Sequence, residues 1–313
     1  MSILILTHPS SHAHVTPPSH PERVARIETV DRVLASGPYA TLPRAEAPAA
    51  SDAEIGRAHD AAYVEWIKAS APAQGWASLD PDTHMCPDSL EAARHAAGSN
   101  IAAVEAVVGG RHKAAFCAVR PCGHHAEKNR AMGFCLFNNV AVGARHALDA
   151  LGVKKLAIVD FDVHHGNGTQ DIFWSEPRVM FASSHQMPLY PGSGAASETG
   201  VGNIFNVPLA PNTGGREMRM AYQGHVFPAL RAFDPDLIMI SAGFDAHRDD
   251  PLANLMWTQA DFGWVTAEIC KIAAECCEGR VVSTLEGGYH LDGLADSLAA
   301  HLDALIAHAE AYE

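Results

Sequence analysis

The chain has no apolar run approaching the roughly 20 residues that a membrane-spanning helix needs. It also lacks a basic flank at its first apolar stretch, residues 1–6, which is too short for a secretory h-region and reads as a first strand. Basic residues are scarce: 22 Lys and Arg stand against 36 Asp and Glu, a formal net charge of −14. That balance argues against sequence-independent nucleic-acid binding, which rests on Lys and Arg contacts to phosphate. Its pull on cationic substrates is weak and screened by salt. Cysteine is sparse: seven residues, an odd number without paired C-x-x-C spacing, exclude a disulfide scaffold. They point to free thiols in a reducing cytoplasm. No internal repeat, low-complexity tract or Gly/Ser linker divides the 313 residues, so 1–313 is expected to form one domain.

What is present is an alternation. Short apolar runs at 3–6, 115–119, 156–160, 179–183, 237–241 and 281–285 are strand-like. Ala-rich stretches at 91–108, 139–151, 216–233, 259–278 and 294–309 carry apolar residues at helical spacing. Apolar strands alternating with helices predict a parallel sheet covered on both faces. Ligands of such sheets gather at the carboxyl ends of the strands. Four strand ends carry reactive clusters: RPCGHHA at 120–126, the Asp/His segment at 160–166, AGFDAHRDDP at 242–251 and EGGYH at 286–290.

The densest cluster is Asp160-Phe161-Asp162-Val163-His164-His165-Gly166. Side chains alternate along an extended chain, so Asp160, Asp162 and His164 fall on one face. Oxygen and imidazole donors at a buried strand end suit a divalent cation, because buried charges persist only when paired or metal-bound. Asp245, from another strand end, completes a set of two carboxylates and one imidazole. That set leaves coordination open for water and substrate, as a catalytic metal requires. His124 and His125 follow a Pro-Cys-Gly turn and titrate in the range a general base needs. Asp160 and Asn167 are natural orienting partners, one anionic and one neutral, so the two rings should differ in basicity. Tyr289, after two glycines, can aim a hydroxyl at a developing oxyanion. Gly133, Phe134 and residues 189–192 fit equally well as core or as walls of an apolar channel.

These four motifs, in this order, resemble the histone deacetylase superfamily, which includes acetylpolyamine amidohydrolases. The resemblance runs over almost the whole chain, from HPERVAR (20–26) through RPCGHHAEKNRAMGFCLFNN (120–139) and DFDVHHGNGTQ (160–170) to SAGFDAH (241–247) and LEGGYH (285–290). GFCLFNN, together with Asn167 where class I members carry Asp, makes the class II branch the most similar. The family implies an α/β fold: one three-layer α/β/α domain of the arginase/deacetylase type, with a mostly parallel sheet of about eight strands. By position, Asp162, His164 and Asp245 would bind one Zn²⁺. His125 would act as general base and then acid, His124 would stay largely electrostatic, and Tyr289 would donate to the tetrahedral oxyanion. Gly133, Phe134 and Tyr190 would line an acyl-lysine tunnel with Leu252 at its rim, and Arg26 would serve an internal cavity for acetate release. A structural K⁺ would be held by Asp160, the Ser183 hydroxyl and the backbone carbonyls of Asp162, His164 and Ser184.

The chain departs from the family at two points. Cys122 replaces the second proline of the usual RPPGHHA and puts a thiol near the metal, a liability to oxidation. Tyr190 stands where phenylalanine is usual. Tyr289 is retained, whereas weakly active relatives carry His. The implied reaction is hydrolysis of an N-acetyl amide, on protein or peptide lysine or on a small acetylated amine. Polyamine-selective relatives place an acidic gatekeeper after the third metal-binding Asp. Leu252 holds that position here, and an apolar rim does not favour a dication. The acidic loop Leu79-Asp80-Pro81-Asp82-Thr83 argues the other way, for acetylpolyamine. A binuclear manganese ureohydrolase would need bridging Asp ligands that the chain lacks. A silent acetyl-lysine-binding module would not need an intact His pair and Tyr289. Neither a membrane nor a nucleic acid is an expected partner. The irregular stretches 7–20, 70–88 and 184–201 are expected to form rims or lids, the first two alternatively a homo-oligomer interface.

Overall fold

The computed structural model describes residues 3–312; Met1 and Ser2, included in the expected first strand, and Glu313 lie outside them. The strands β1 (Ile3–Thr7) and β2 (Arg44–Glu46) come first. Next, β3 (Ala77–Ser78) and β4 (His84–Met85) form a small antiparallel ribbon of their own. After these come β5 (Ala114–Cys117), β6 (Leu156–Asp160), β7 (Val179–Gln186), β8 (Ile204–Leu209), β9 (Leu237–Ala242) and β10 (Val281–Leu285). Apart from the ribbon, they make one eight-stranded sheet in the order β2-β1-β5-β10-β9-β6-β7-β8. Every neighbouring pair in it is parallel.

The period-2 alternation of the strands divides the core. Ile3, Ile5, Phe116, Ala157, Val159, Ile238 and Ile240 face one layer, which contains residues of the helices Val24–Leu34, Gln259–Cys276 and Leu291–Glu310. Leu4, Leu6, Cys117, Leu156, Ile158, Leu237 and Met239 face the other, with the helices Ser89–Val108 and Asn139–Ala150. Both faces are apolar because both are covered. The result is the three-layer α/β/α architecture expected.

Strand order is what assembles a site. The strands carrying the four reactive clusters, β5, β10, β9 and β6, are consecutive neighbours in space although not in sequence. Their registers are level: Asp160 pairs with Ser241 on β9, and Leu285 on β10 pairs with Ala242. The loops that follow therefore leave the same edge side by side.

Some elements differ from expectation. The helix expected over 216–233 is interrupted by a wider turn at Tyr222–Val226, directly before Phe227 and Pro228. A proline lacks the N–H that would continue the regular ladder, and a widened turn absorbs that loss. The helix Ala61–Ser70 and the edge strands β2 and β8 were not expected. Among the described residues no helix is long and apolar enough to cross a membrane.

Candidate active site

Asp162 and His164 leave the end of β6, and Asp245 leaves the end of β9. All three are buried, and their donor atoms converge. Nδ1 of His164 lies 3.1 Å from Asp162 Oδ1 and 3.1 Å from Asp245 Oδ2. Backbone amides fix both carboxylates: His164 and Gly287 donate to Asp162 at 2.9 and 2.8 Å, and Val163 donates to Asp245 at 2.8 Å. The approach requires glycine at 287, where a Cβ would meet Asp245 Oδ2 at 2.1 Å. Burial opposes charging His164, but Asp162 and Asp245 outweigh it and raise its pKa to about 10. Burial and the neighbouring Asp162 push Asp245 up to about 7. Two carboxylates at such close range call for a cation between them. The donor spacing also fits one, since a tetrahedral ion with ligands near 2.0 Å sets ligand–ligand edges of about 3.3 Å. The residues present suit a small divalent metal.

The two histidines of the β5 loop have opposite surroundings. Nδ1 of His124 is 2.9 Å from Asp160 Oδ2. Burial opposes its charge, yet Asp160 and Asp162 hold its pKa well above the usual range. Nδ1–H of His125 donates to Asn167 Oδ1 at 2.8 Å. Asn167 is itself oriented by donating its amide to Glu127 at 2.8 Å, which leaves its oxygen for the ring. Nε2 of His125 is therefore the nitrogen with a free lone pair. Burial, then the charge on His124 and on His164, holds its pKa well below the usual range. One ring is a fixed cation and its neighbour a neutral base. Their ring centroids are 4.0 Å apart.

His125 and His164 face a cavity of about 220 Å³ with Asp82, Gly133, Phe134, Leu189, Tyr190, Leu252 and Tyr289. Gly133 lies flat on the His125 ring at a φ of 57°, and a Cβ there would meet the ring at 2.3 Å. Tyr190 closes the opposite wall, its ring centroid 5.3 Å from that of His125. Leu252 and Tyr289 also border an outer groove of about 640 Å³ formed by residues 15–21, Arg23 and Pro251. Tyr289 is buried, and burial raises its pKa well above the phenol range, so its hydroxyl is kept as a donor. Arg26 lies behind it, 4.9 Å from the ring centroid, donating to the carbonyls of Gly288 and Glu286.

A family model for the histone deacetylase domain matches residues 20–305. The chain belongs to the histone deacetylase family. It is 37% identical over 309 residues to "Histone deacetylase 14, chloroplastic" of Arabidopsis thaliana, covering 92% of this chain and 73% of that one. It is 40% identical over 286 residues to the "Histone deacetylase-like amidohydrolase" of Pseudomonas aeruginosa, covering 90% and 74%. The crystal structure of the HDA15 HD domain superposes with a TM-score of 0.93 at 35% identity, covering 98% of this chain and 88% of that one. These relatives make this deacetylase-family chain a hydrolase.

Three carboxylates that sequence reasoning did not single out hold the site from behind. Glu286 accepts the backbone N–H of Gly123 at 2.7 Å and of His124 at 3.2 Å, fixing the His loop. Asp250 accepts from Tyr289 at 2.7 Å and His290 at 3.2 Å. Glu22 joins Arg26 to Arg120 in a fully buried cluster. Asp82, known beforehand only as part of an acidic loop, lines the cavity and accepts from Gly133 N at 3.2 Å. Ser183 and Ser184 do not touch this cavity. Ser183 sits level with Asp160 across the β6–β7 pair, and its hydroxyl bonds His185 Nδ1 at 3.0 Å. The Ser184 hydroxyl bonds Tyr222 at 2.7 Å. His165 turns away from the carboxylates, to Ser193 and Gln170.

Proposed function

We propose that this chain is a zinc-dependent deacetylase that removes acetyl groups from lysine side chains of proteins or peptides, or from a related small acetylated amine. One observation carries the reading: a neutral His125 with a free Nε2, the Tyr289 phenol and the edge of the Asp162/His164/Asp245 set share one cavity. Asp162, His164 and Asp245 would hold the ion, which supplies Lewis-acid polarisation of a carbonyl and acidifies a water. Nε2 of His125 takes the proton of the attacking water and then returns it to the departing amine. His124, paired with Asp160, keeps its charge throughout and so depresses the basicity of its neighbour. Tyr289 donates to the carbonyl oxygen as charge develops there. Gly133, Phe134 and Tyr190 hold the acyl-bearing chain, and Leu252 meets it at the rim. Arg26, behind Tyr289, would serve release of acetate.

A structural K⁺ at Asp160, Asp162, His164, Ser183 and Ser184 belongs to the same proposal. His185 Nε2–H donates to Gly194 O at 2.9 Å, so its Nδ1 accepts from the Ser183 hydroxyl. The Ser183 oxygen thus keeps lone pairs for a cation. The reading also takes 1–313 as a single catalytic domain, supported by the one sheet that carries all four motifs. A reducing cytoplasm is supported by seven free thiols.

Asp82 favours a second reading, acetylpolyamine, because it brings a carboxylate to the cavity wall. Its oxygen Oδ1 already accepts from Gly133 and Thr83, which leaves it less to offer a dication and puts acetyl-lysine first. The deciding experiment is a kcat/KM panel of zinc-loaded protein on acetyl-lysine peptides, longer acyl-lysines, acetylputrescine and acetylspermidine. Higher values on the acetyl-lysine peptides are expected. Equal or higher values on the acetylpolyamines would reverse the order.

A further inference from the structure

Behind the Gly133–Phe134 wall lies a second chemistry, absent from the hydrolytic site itself. Cys122, which takes the place of the family's usual proline, meets Cys135 with their sulfurs 3.4 Å apart. Both are buried, and with Ala126 and Phe134 they form a small apolar cluster separate from the two main cores. The pair converges on a single acceptor, the carbonyl of Gly133, at 3.2 Å from Cys135 Sγ and 3.9 Å from Cys122 Sγ. Gly133 in turn is pressed on the His125 ring, and Phe134 faces Tyr289 with ring centroids 5.9 Å apart. Both Gly133 and Phe134 sit at positive φ, 57° and 68°, a conformation with little freedom to adjust.

We propose that Cys122 and Cys135 are a redox modification site, closing reversibly to a disulfide that distorts the Gly133–Phe134 wall and lowers turnover. The inhibitory part rests on the deacetylase reading above. Cys135 directs its S–H at Cys122, and burial holds the Cys135 thiol well above its usual range, which leaves Cys122 as the sulfur that reacts first and Cys135 as the resolving thiol. Hydrogen peroxide is small enough for so buried a pair. The Cys122 sulfur attacks one peroxide oxygen, the O–O bond breaks, and the departing hydroxide takes the thiol proton, so that sulfenic acid and water result. The Cys135 thiol then displaces that hydroxyl from sulfur, giving the disulfide and a second water, so two thiols and one peroxide become one disulfide and two waters. Closing the sulfurs from 3.4 Å to bonding distance moves them together by about 1.4 Å. Once the bond has formed neither sulfur carries a hydrogen to donate to the Gly133 carbonyl, and the wall against His125 shifts.

The test treats the zinc-loaded full chain with hydrogen peroxide, quenches with catalase, and measures kcat/KM beside non-reducing peptide mapping. A Cys122–Cys135 crosslink is expected, with kcat/KM lower by on the order of 10- to 100-fold, the cost of misplacing a reacting group by about 1 Å. Dithiothreitol should restore both. Cys122→Ala should keep the reduced enzyme's activity and lose the peroxide response. Absence of the crosslink, a crosslinked enzyme of unchanged kcat/KM, or a Cys122→Ala protein as sensitive as wild type would each overturn the proposal. Mapping scores the crosslink whether or not the reduced protein turns over any substrate, so failure of the deacetylase reading is seen separately.

Discussion

Two clusters at the same edge of the sheet offer a metal similar donors. Asp162, His164 and Asp245 form one; His247, Asp249 and His290 form the other. In the first, every member is buried and His164 Nδ1 faces two carboxylate oxygens at 3.1 Å each. In the second, Asp249 is exposed and its carboxylate stands 3.6 Å from His247 Nδ1. Backbone amides already occupy the imidazole lone pairs there: Asp249 N donates to His247 Nδ1 at 3.3 Å, and Gly293 N donates to His290 Nδ1 at 3.1 Å. His290 is the N-cap of the helix Leu291–Glu310. The electrostatics diverge accordingly. Two carboxylates raise the pKa of His164, whereas burial lowers that of His247. Donor identity and proximity do not make a metal site; unspent lone pairs and excluded water do.

The largest effect should come from breaking the first cluster. Asp245→Asn is expected to remove the bound zinc, read by elemental analysis after dialysis. Turnover should fall by on the order of 10³-fold or more, beyond the loss of a single oxyanion donor. Retained zinc and activity in that variant would erase the distinction between the clusters. Tyr289→Phe should come next, with kcat lower by on the order of 10²–10³ and zinc content unchanged. Near-wild-type turnover there would remove Tyr289 from the chemistry.

Acid sharpens the contrast in another way. Burial holds His59 at a pKa of about 4 and His301 at about 3, so both fold neutral. Between those values and the unfolded value near 6.5, the unfolded chain binds more protons, so stability falls as pH drops through that window. Thermal melts should shift downward from pH 7 to 4.5, with up to a few kcal/mol from each ring at the acid end. His59→Gln should flatten part of that slope; an unchanged slope would mean that His59 titrates normally. The smallest effect belongs to the second cluster. His290→Ala should leave zinc content unaltered and cost about 1 kcal/mol, the usual value of an N-cap, seen as a melting shift of a few degrees at most. Loss of zinc in that variant would make His290 a ligand.

Much of this was legible from the chain because a buried parallel strand announces itself as an apolar run and its reactive residues follow at once. The six interior and near-interior strands were readable that way. The edge strands were not: β2 is a polar three-residue stretch, and β8 carries Asn206 and Pro208, tolerated because only one side has a partner. The metal donors, the His pair and Tyr289 stood out by type and position. Glu286 and Asp250 did not, because what they do is accept backbone N–H groups from distant loops, and no local pattern marks that. Cys122 was visible as a departure from the family, but its partner Cys135 became apparent only once the GFC turn folded back beside it.

The most direct measurement is a zinc titration of chelator-treated protein, read as the rate of acetyl-lysine peptide hydrolysis. Activity is expected to be absent without metal, to rise with added zinc and to saturate at one equivalent per chain. Full activity in the chelated protein, or saturation only at two equivalents, would contradict a single zinc held by Asp162, His164 and Asp245.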